Sequence, residues 1–178
     1  MIPEIGQLAL TFAFGLSALL AIFPIYGSFT GHQRALLLAK PLSIGMFLFS
    51  AFAMGCLIYA FLQNDFTVIN VASNSSSILP WYYQITASFG SHEGSMLLWV
   101  TVMGVAGAGI ALFERALRRD THMATLGAQA AISLGFYAFL LFASNPFARL
   151  DPPASDGQGL NPLLQDPGLA FHPPTLYL

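Results

Sequence analysis

The four histidines are the side chains of this sequence best suited to bind a metal ion or a haem iron: His32, His92, His122 and His172. His172 precedes Pro173-Pro174, and a residue before proline is biased toward extended backbone. A neutral imidazole held in one direction on a stiff backbone, in a hydrophobic setting, suits an axial ligand to haem iron. The residue pattern by itself favours a structural histidine, with the haem ligand as the alternative.

His92 and Glu93 lie together in the segment Ser91-His-Glu-Gly-Ser95. A zinc-protease motif of the type HExxH would need a histidine at position 96, where this sequence has Met96. Glu93 can instead favour the positive N-terminal end of a helix that follows it. The sequence therefore assigns no catalytic role to this pair.

The remaining candidate residues point to surface or packing roles. His32 and His122 lie next to basic residues, which predicts solvated or headgroup-contacting positions. Cys56 lies among apolar residues and is predicted to pack. A single cysteine excludes a disulfide framework, a cysteine-rich zinc site and a CxxCH haem-attachment motif.

The elements that would carry these residues follow from the composition. Hydrophobic types make up 56% of the 178 residues and charged types 8%, whereas globular proteins have about 25% charged residues. So few charges cannot cover a water-facing surface, which excludes a soluble enzyme and a disordered chain. A nucleic-acid-binding protein would need a basic face. The composition predicts an all-α, polytopic membrane protein.

The gaps between charged residues predict four transmembrane helices. Uncharged runs of 29, 24, 20 and 28 residues separate the charges, and about 20 apolar residues cross a bilayer as a helix. The predicted spans lie near 5–26, 42–63, 95–113 and 123–143. We expect a transmembrane bundle over 1–143 and a proline-rich segment over 144–178.

The basic residues predict the orientation in the membrane. Five of the six lie in the predicted loops 27–41 and 114–122, and basic loops stay in the cytoplasm. We therefore expect a periplasmic N-terminus, periplasmic loop 64–94 and periplasmic tail in a bacterial inner membrane.

Aromatic residues cluster in the predicted periplasmic loop, where Trp81, Tyr82 and Tyr83 follow Pro80. Trp81, Ile85 and Phe89 share one helical face, which predicts a short helix along the outer membrane surface. An aromatic belt in contact with membrane lipid is the favoured interpretation. A shelf for a flat hydrophobic cofactor is the alternative.

The tail from 144 to 178 holds seven of the eleven prolines. Proline at this density predicts an extended, locally stiff chain. Leucines and Phe171 along it predict that the tail is ordered and packs on other elements.

Several blocks of this sequence resemble the CcmF family, the haem lyase membrane subunits of bacterial cytochrome c maturation, within the wider CcmF/CcmC/CcsA haem-handling superfamily. The blocks begin with Pro3-Glu-Ile-Gly6, Tyr59-Ala-Phe-Leu-Gln-Asn-Asp-Phe66 and Trp81-Tyr82. They continue with Ser88-Phe-Gly-Ser-His-Glu-Gly-Ser-Met-Leu-Leu-Trp99, Ser144-Asn-Pro-Phe147, Leu160-Asn-Pro-Leu-Leu-Gln-Asp-Pro-Gly-Leu169 and His172-Pro-Pro-Thr-Leu-Tyr177.

The resemblance implies a haem-handling protein that holds haem for covalent attachment to apocytochrome c. His172 matches the first of two periplasmic histidines that flank the family's tryptophan-rich haem domain, which would follow this segment. It also implies a b-type haem in the full-length protein, and the haem chaperone CcmE, CcmH and apocytochrome c as partners. We expect this chain to be the N-terminal quarter of such a protein and inactive as a haem lyase by itself.

Two functions from other classes remain as alternatives. A structural membrane anchor that docks a periplasmic partner would equally lack charged residues in its spans. A secondary transporter would be expected to carry ionisable residues in its spans, and the four predicted spans have none.

Overall fold

The computed structural model describes residues 1–30, 33–113, 118–166, 168, 172 and 175. Within these residues the chain is helical, and strand pairing is confined to one isolated bridge between Val68 and Arg149. The elements are α1 (Ile2–Thr30), α2 (Gln33–Leu62), α3 (Ile69–Asn74), α4 (Trp81–Ala87), α5 (His92–Phe113), α6 (Arg119–Phe142) and a 3-10 helix (Pro162–Gln165).

Four of these helices are long and apolar enough to cross a membrane. Their spanning segments are Ile2–Phe23, Leu37–Leu62, His92–Phe113 and Thr121–Phe142. The predicted all-α membrane fold with four spans is therefore confirmed, and the chain is part of a multi-pass membrane protein.

The connection between the first two spans differs from the expected loop over 27–41. α1 continues through Gly27 to Thr30, and α2 already begins at Gln33. Pro41, expected in the first turn of the second span, lies inside α2. The charge gaps mark where the apolar stretch ends, whereas the backbone hydrogen bonds of a helix continue into polar sequence. The predicted bounds of this loop, 27–41, are therefore wrong.

The four long helices form one bundle around a common core. α1 packs on α2 and α6, α2 packs on α5, and α5 packs on α6. Leu10, Met46, Leu57, Leu97 and Leu126 are fully buried between them. Within each spanning segment, an apolar stretch of 18 residues is between 33% and 44% buried, so most of this stretch faces outward. An outward face this apolar suits lipid as the surrounding solvent.

A glycine sets the close contact between α2 and α5. A Cβ on Gly104 would lie 3.2 Å from the Cα of Phe47, so the two backbones nearly touch. Small residues permit this approach in membrane helices, where dispersion contacts drive association.

The described part of the tail is irregular and packs against the bundle at several points. Phe147 and Leu160 are buried, whereas Leu163 is 70% exposed. Leu164 packs on the core, and Leu169 and Phe171 lie outside the described residues.

Candidate functional site

One end of the bundle gathers most of the chemistry-bearing residues that the structure describes. The start of α1, the end of α2, the start of α5 and the end of α6 all lie there, because consecutive spans alternate in direction. α3, α4, the 3-10 helix and the described tail lie at the same end, in contact with these helix ends. We call this region the N-terminal end of the bundle.

Ser91 caps α5. Its Oγ accepts a hydrogen bond from the backbone N–H of Gly94 at 3.0 Å, and α5 begins at the next residue, His92. A side-chain oxygen that binds the third N–H of a helix satisfies one of its unpaired donors. A serine just before an apolar run is a known sign of a helix start, so the sequence itself contains the signal for this cap.

Gly94 has a packing role that its spacing in the sequence does not reveal. A Cβ at this position would lie 1.8 Å from the carbonyl oxygen of Ser88, which is a backbone atom that cannot move aside. α5 therefore begins directly against the end of α4. The distinctive Ser-His-Glu-Gly-Ser block thus has Ser91 and Gly94 as structural residues.

His92 turns toward α6. Its Nδ1 lies 3.0 Å from the Oγ of Ser144, and its ring meets the ring of Phe139 edge-on at 5.7 Å. The same histidine lines an apolar groove of about 340 Å³ between α5 and α6. The other lining residues of this groove are Met96, Ile132, Gly135, Phe136 and Phe139.

Glu93 faces a polar cavity of about 280 Å³ on the other side of Ser144. Its polar lining consists of Asn70, Ser73, Asn74, Glu93, Ser144 and Asn145. Asn70 is 5% exposed, and its Nδ2 has no acceptor among the described residues. The Nδ2 of Asn74 donates to the Asn70 carbonyl at 2.9 Å and to its Oδ1 at 3.1 Å. Glu93 lies in the first turn of α5, where its charge is favoured.

Arg149 ties the tail to the bundle. It forms ion pairs with Glu4 and with Asp65, the latter at 3.4 Å, and it donates to the hydroxyl of Thr67. The hydrogen bond to Glu4 raises the pKa of the Arg149 guanidinium further above its ordinary value. Beside it, the Ile69 N–H donates to the Ala148 carbonyl at 2.9 Å. Three segments far apart in sequence therefore meet at one guanidinium.

The predicted short helix in the aromatic segment is confirmed: α4 extends over Trp81–Ala87. Trp81 and Tyr82 are 66% and 50% exposed, and their rings meet edge-on at 5.8 Å. Tyr83 donates its hydroxyl to the Gln165 carbonyl at 2.5 Å, which holds the 3-10 helix against α4. Its position on the membrane surface stays a prediction.

His172 differs in local structure from the expected extended backbone. Its backbone is helical, its side chain is exposed, and its carbonyl accepts a hydrogen bond from the Thr175 hydroxyl at 2.9 Å. The expectation of an extended conformation is wrong at this residue. The bias before proline is a local preference, and a helical turn outweighs it here.

His122 lies in the core, contrary to the predicted surface position. It is 5% exposed, and its Nε2 donates to the Ile110 carbonyl at 3.0 Å. Ile110 lies near the end of the described part of α5. The bond to its carbonyl gives the buried imidazole a partner, although the histidine lies beside basic residues in the sequence. His32 lies outside the described residues.

The predicted site residues do not converge on one metal site within the part of the chain that the structure describes. There, no group of three or more His, Cys, Asp or Glu side chains is placed to hold a metal ion. Glu93 lies beside His92 in α5, but the two side chains line different cavities. Cys56 is buried, in agreement with its predicted packing role.

Comparison with known proteins gives consistent results. The family model described as "Cytochrome C assembly protein" matches residues 89–178. Proteins named "Cytochrome c-type biogenesis protein CcmF" from Pseudomonas aeruginosa and Escherichia coli K12 are 47% and 43% identical to this chain. These two matches cover 100% of the chain and 27% and 28% of the relatives, respectively, so the chain spans little more than a quarter of their length.

A solved structure titled "Cytochrome c Heme Lyase CcmF" has the same fold. Its TM-score is 0.86 at 22% sequence identity, over 99% of this chain and 28% of the other. The likeness extends to the arrangement of all four spans.

Proposed function

Because the chain belongs to the cytochrome c assembly protein family, we propose that it is part of a haem-handling membrane protein of cytochrome c maturation. The similarity over the whole chain to proteins named CcmF carries this proposal. Under this proposal, the complete protein is a haem lyase subunit that holds haem while the haem is attached covalently to apocytochrome c. Residues 1–143 form part of the transmembrane bundle, and residues 144–178 lead to the family's tryptophan-rich haem domain.

The proposal places the N-terminal end of the bundle in the periplasm of a bacterium, with the spans in its inner membrane. Support comes from the basic residues, because Arg34, Lys40, Arg118 and Arg119 lie toward the opposite end of the long helices. Positively charged segments remain in the cytoplasm. Reporter fusions at residues 35 and 118 should behave as cytoplasmic, and fusions at 75 and 155 as periplasmic. The opposite pattern would overturn this topology.

His172 is proposed as one axial ligand of a b-type haem in the complete protein. Its exposed side chain fits a group brought from outside the described residues. His172 is seven positions after Gln165, whose carbonyl accepts from Tyr83 on α4, so the Cα of His172 lies within about 24 Å of the Gln165 Cα. The exposed rings of Trp81 and Tyr82 lie on α4, the same helix as Tyr83. Haem would supply the iron and the vinyl groups that react, and this chain would supply one ligand nitrogen and an apolar surface.

The proposed partners are the haem chaperone CcmE as the source of haem, and CcmH and apocytochrome c as the receivers. The family membership supports a place in a maturation complex. Crosslinking from Trp81 and Tyr82, which are exposed at the N-terminal end of the bundle, would identify which partner contacts this surface.

Substitution of His172 in the complete protein tests the haem assignment. His172→Ala should abolish most covalent haem staining of a reporter cytochrome c while the protein level stays unchanged, because the iron loses a nitrogen ligand. His172→Gln should fail equally, since an amide is a far poorer iron ligand than imidazole. Added imidazole should partly restore His172→Ala, because it can occupy the vacated coordination position.

A second substitution separates the ligand role from a general disturbance of the tail. Thr175→Val removes the hydroxyl bonded to the His172 carbonyl and leaves the imidazole, so it should mature the cytochrome normally. Normal maturation by both His172 variants would show that His172 is not a ligand. The proposal of haem handling would then rest on family membership without a ligand from this chain.

A further inference from the structure

The polar cavity at Glu93 and the apolar groove at His92 are neighbours that share one wall. The hydrogen bond between His92 Nδ1 and Ser144 Oγ forms this wall, since His92 lines the groove and Ser144 lines the cavity. The cavity is polar and lies at the helix ends, and the groove is apolar and runs along the spans. Nothing in the proposed haem chemistry uses either of them.

The charges around the cavity define what it can bind. Glu93 supplies a carboxylate, and the described residues that line the cavity include no lysine or arginine to pair with it. The buried Nδ2 of Asn70 has hydrogens but no acceptor within the described residues. A buried polar group without a partner is costly. A ligand with a cationic N–H donor would pair with the Glu93 carboxylate, and an oxygen acceptor on the same ligand would satisfy the Asn70 Nδ2.

The position of the cavity gives the depth at which this ligand lies. α5 begins at His92 and α6 ends at Phe142, and the cavity is lined by the residues that directly follow α6, Ala143, Ser144 and Asn145. This is where two spans leave the hydrocarbon region. The cavity is therefore at the level of lipid headgroups.

The groove continues from this level into the membrane. Its α6 residues run from Phe139 to Ile132, seven residues or about 10 Å along a helix. One leaflet of a bilayer is about 15 Å thick in hydrocarbon. The groove thus follows most of one leaflet, which is the geometry of an acyl chain.

We propose that the cavity and the groove together bind one phospholipid with a primary-ammonium headgroup, of the phosphatidylethanolamine type. Its ammonium pairs with Glu93, its phosphate or ester oxygens accept from Asn70, and one acyl chain lies in the groove beside Met96 and Phe136. A transmembrane helix from elsewhere in a longer protein could fill the groove. An apolar helix would leave Glu93 and Asn70 unsatisfied, so the lipid accounts for more of the structure.

The headgroup is tested with the full-length protein in nanodiscs. Native mass spectrometry counts the retained lipid when the protein is prepared with phosphatidylethanolamine, phosphatidylcholine or phosphatidylglycerol of the same acyl chains. We expect retention of phosphatidylethanolamine at least about tenfold above the other two, because only its ammonium has N–H donors for a carboxylate. Glu93→Gln should lower this retention by about tenfold, and Asn70→Leu by less. Asp151→Asn, the same change at an exposed carboxylate of the tail, should leave retention unchanged.

The acyl chain is tested by filling the groove. A Cβ at Gly135 meets nothing within 4 Å, so Gly135→Leu places a side chain in the groove without a clash. It should reduce phosphatidylethanolamine retention several-fold. Gly109→Leu has equally open surroundings on α5 and lies outside the groove, so it should have no effect. Thermal unfolding of each variant shows whether the fold is intact.

Free phosphoethanolamine distinguishes a lipid site from a headgroup site. If it displaces the lipid at millimolar concentration and Gly135→Leu has no effect, the cavity binds a soluble amine and the proposal of a lipid is wrong. Equal retention of the three lipids, or unchanged retention in Glu93→Gln, would also overturn it. The groove could instead be filled by a helix of the longer protein. In that case Gly135→Leu would fail to fold and the wild-type protein would retain no lipid, and this result would contradict the proposal.

Discussion

The phenol oxygen of Tyr137 on α6 lies 2.5 Å from the hydroxyl oxygen of Ser50 on α2, and both side chains are fully buried within the spans. The Ser50 hydroxyl lies 2.7 Å from the Met46 carbonyl, to which it donates its single hydrogen. Tyr137 is therefore the donor in the bond between the two helices. α2 and α6 share a smaller contact than α1 shares with either, so this bond fixes how they face each other.

Removal of this bond should destabilise the bundle modestly. Tyr137→Phe should lower the free energy of unfolding by about 0.6 kcal/mol and by no more than about 1.7 kcal/mol, which are the average and the maximum measured for hydrogen bonds between membrane helices. Tyr59→Phe removes a hydroxyl from a side chain that is 48% exposed and should change little. Unfolding of the protein in mixed micelles measures both. Equal effects of the two variants would contradict a role for the buried bond.

Gly94 should not tolerate any side chain. Gly94→Ala places a Cβ 1.8 Å from the Ser88 carbonyl oxygen, so the start of α5 must move away from α4. We expect a loss of at least about 2 kcal/mol in the free energy of unfolding. Gly109→Ala, in open space on the same helix, should be neutral or stabilising by up to about 1 kcal/mol. A Gly94→Ala protein as stable as Gly109→Ala would disprove the close approach.

His122 should be required for stability and His172 should not. His122→Leu removes the donor to the half-buried Ile110 carbonyl, which costs about 0.5–1.5 kcal/mol. His172→Leu changes an exposed side chain and should leave the unfolding temperature unchanged. The measurement is thermal unfolding of both variants in the same detergent. The reverse order would show that His172, and not His122, is the structural histidine.

Asp156 should make one contact of the tail dependent on pH. Its carboxylate accepts from the Ser77 N–H at 3.0 Å, the Ser77 hydroxyl at 2.8 Å and the Gly157 N–H at 2.7 Å, and these bonds lower the pKa of Asp156 below its ordinary value of 3.8. A carboxylate with a lowered pKa stabilises the folded form above the ordinary value and loses that contribution as the pH falls through the lowered one. We therefore expect the contact to be intact at neutral pH and lost as the pH falls below 3.8.

Hydrogen exchange at the Ser77 amide measures this change. Protection in the wild-type protein should fall below that pH, after correction for the intrinsic exchange rate. Asp156→Asn should show lower protection that does not vary with pH over the same range. A pH-dependent loss of protection in Asp156→Asn would assign the change to another group.

The long helices could be predicted from sequence because each is indicated by the composition of about 20 consecutive residues and not by any single residue. An uncharged apolar run as long as a bilayer is thick is typical of a membrane span, and the structure has a helix at each of the four runs. The ends of the helices were harder to predict. α1 passes through Gly27 and α2 contains Pro41, since neighbouring backbone hydrogen bonds tolerate a local helix breaker.

The roles of single polar residues were mostly beyond sequence reasoning. His122 has basic neighbours in sequence, but its environment is decided by the Ile110 carbonyl twelve residues away. Asn70 belongs to a polar stretch that interrupts an uncharged run, and its burial depends on α3 and on the end of α6. Such contacts arise from the packing of elements, which residue spacing does not encode.

The contact between Glu4 and Arg149 joins residues 145 positions apart. During synthesis at about 5–20 residues per second, Glu4 emerges from the ribosome about 7–30 s before its partner. All four spans must be made in this interval before the junction at the N-terminal end of the bundle can close. The closure of this junction therefore marks the end of a defined stage of biogenesis, and a partner that recognises the closed form would meet a bundle whose four helices are already in place.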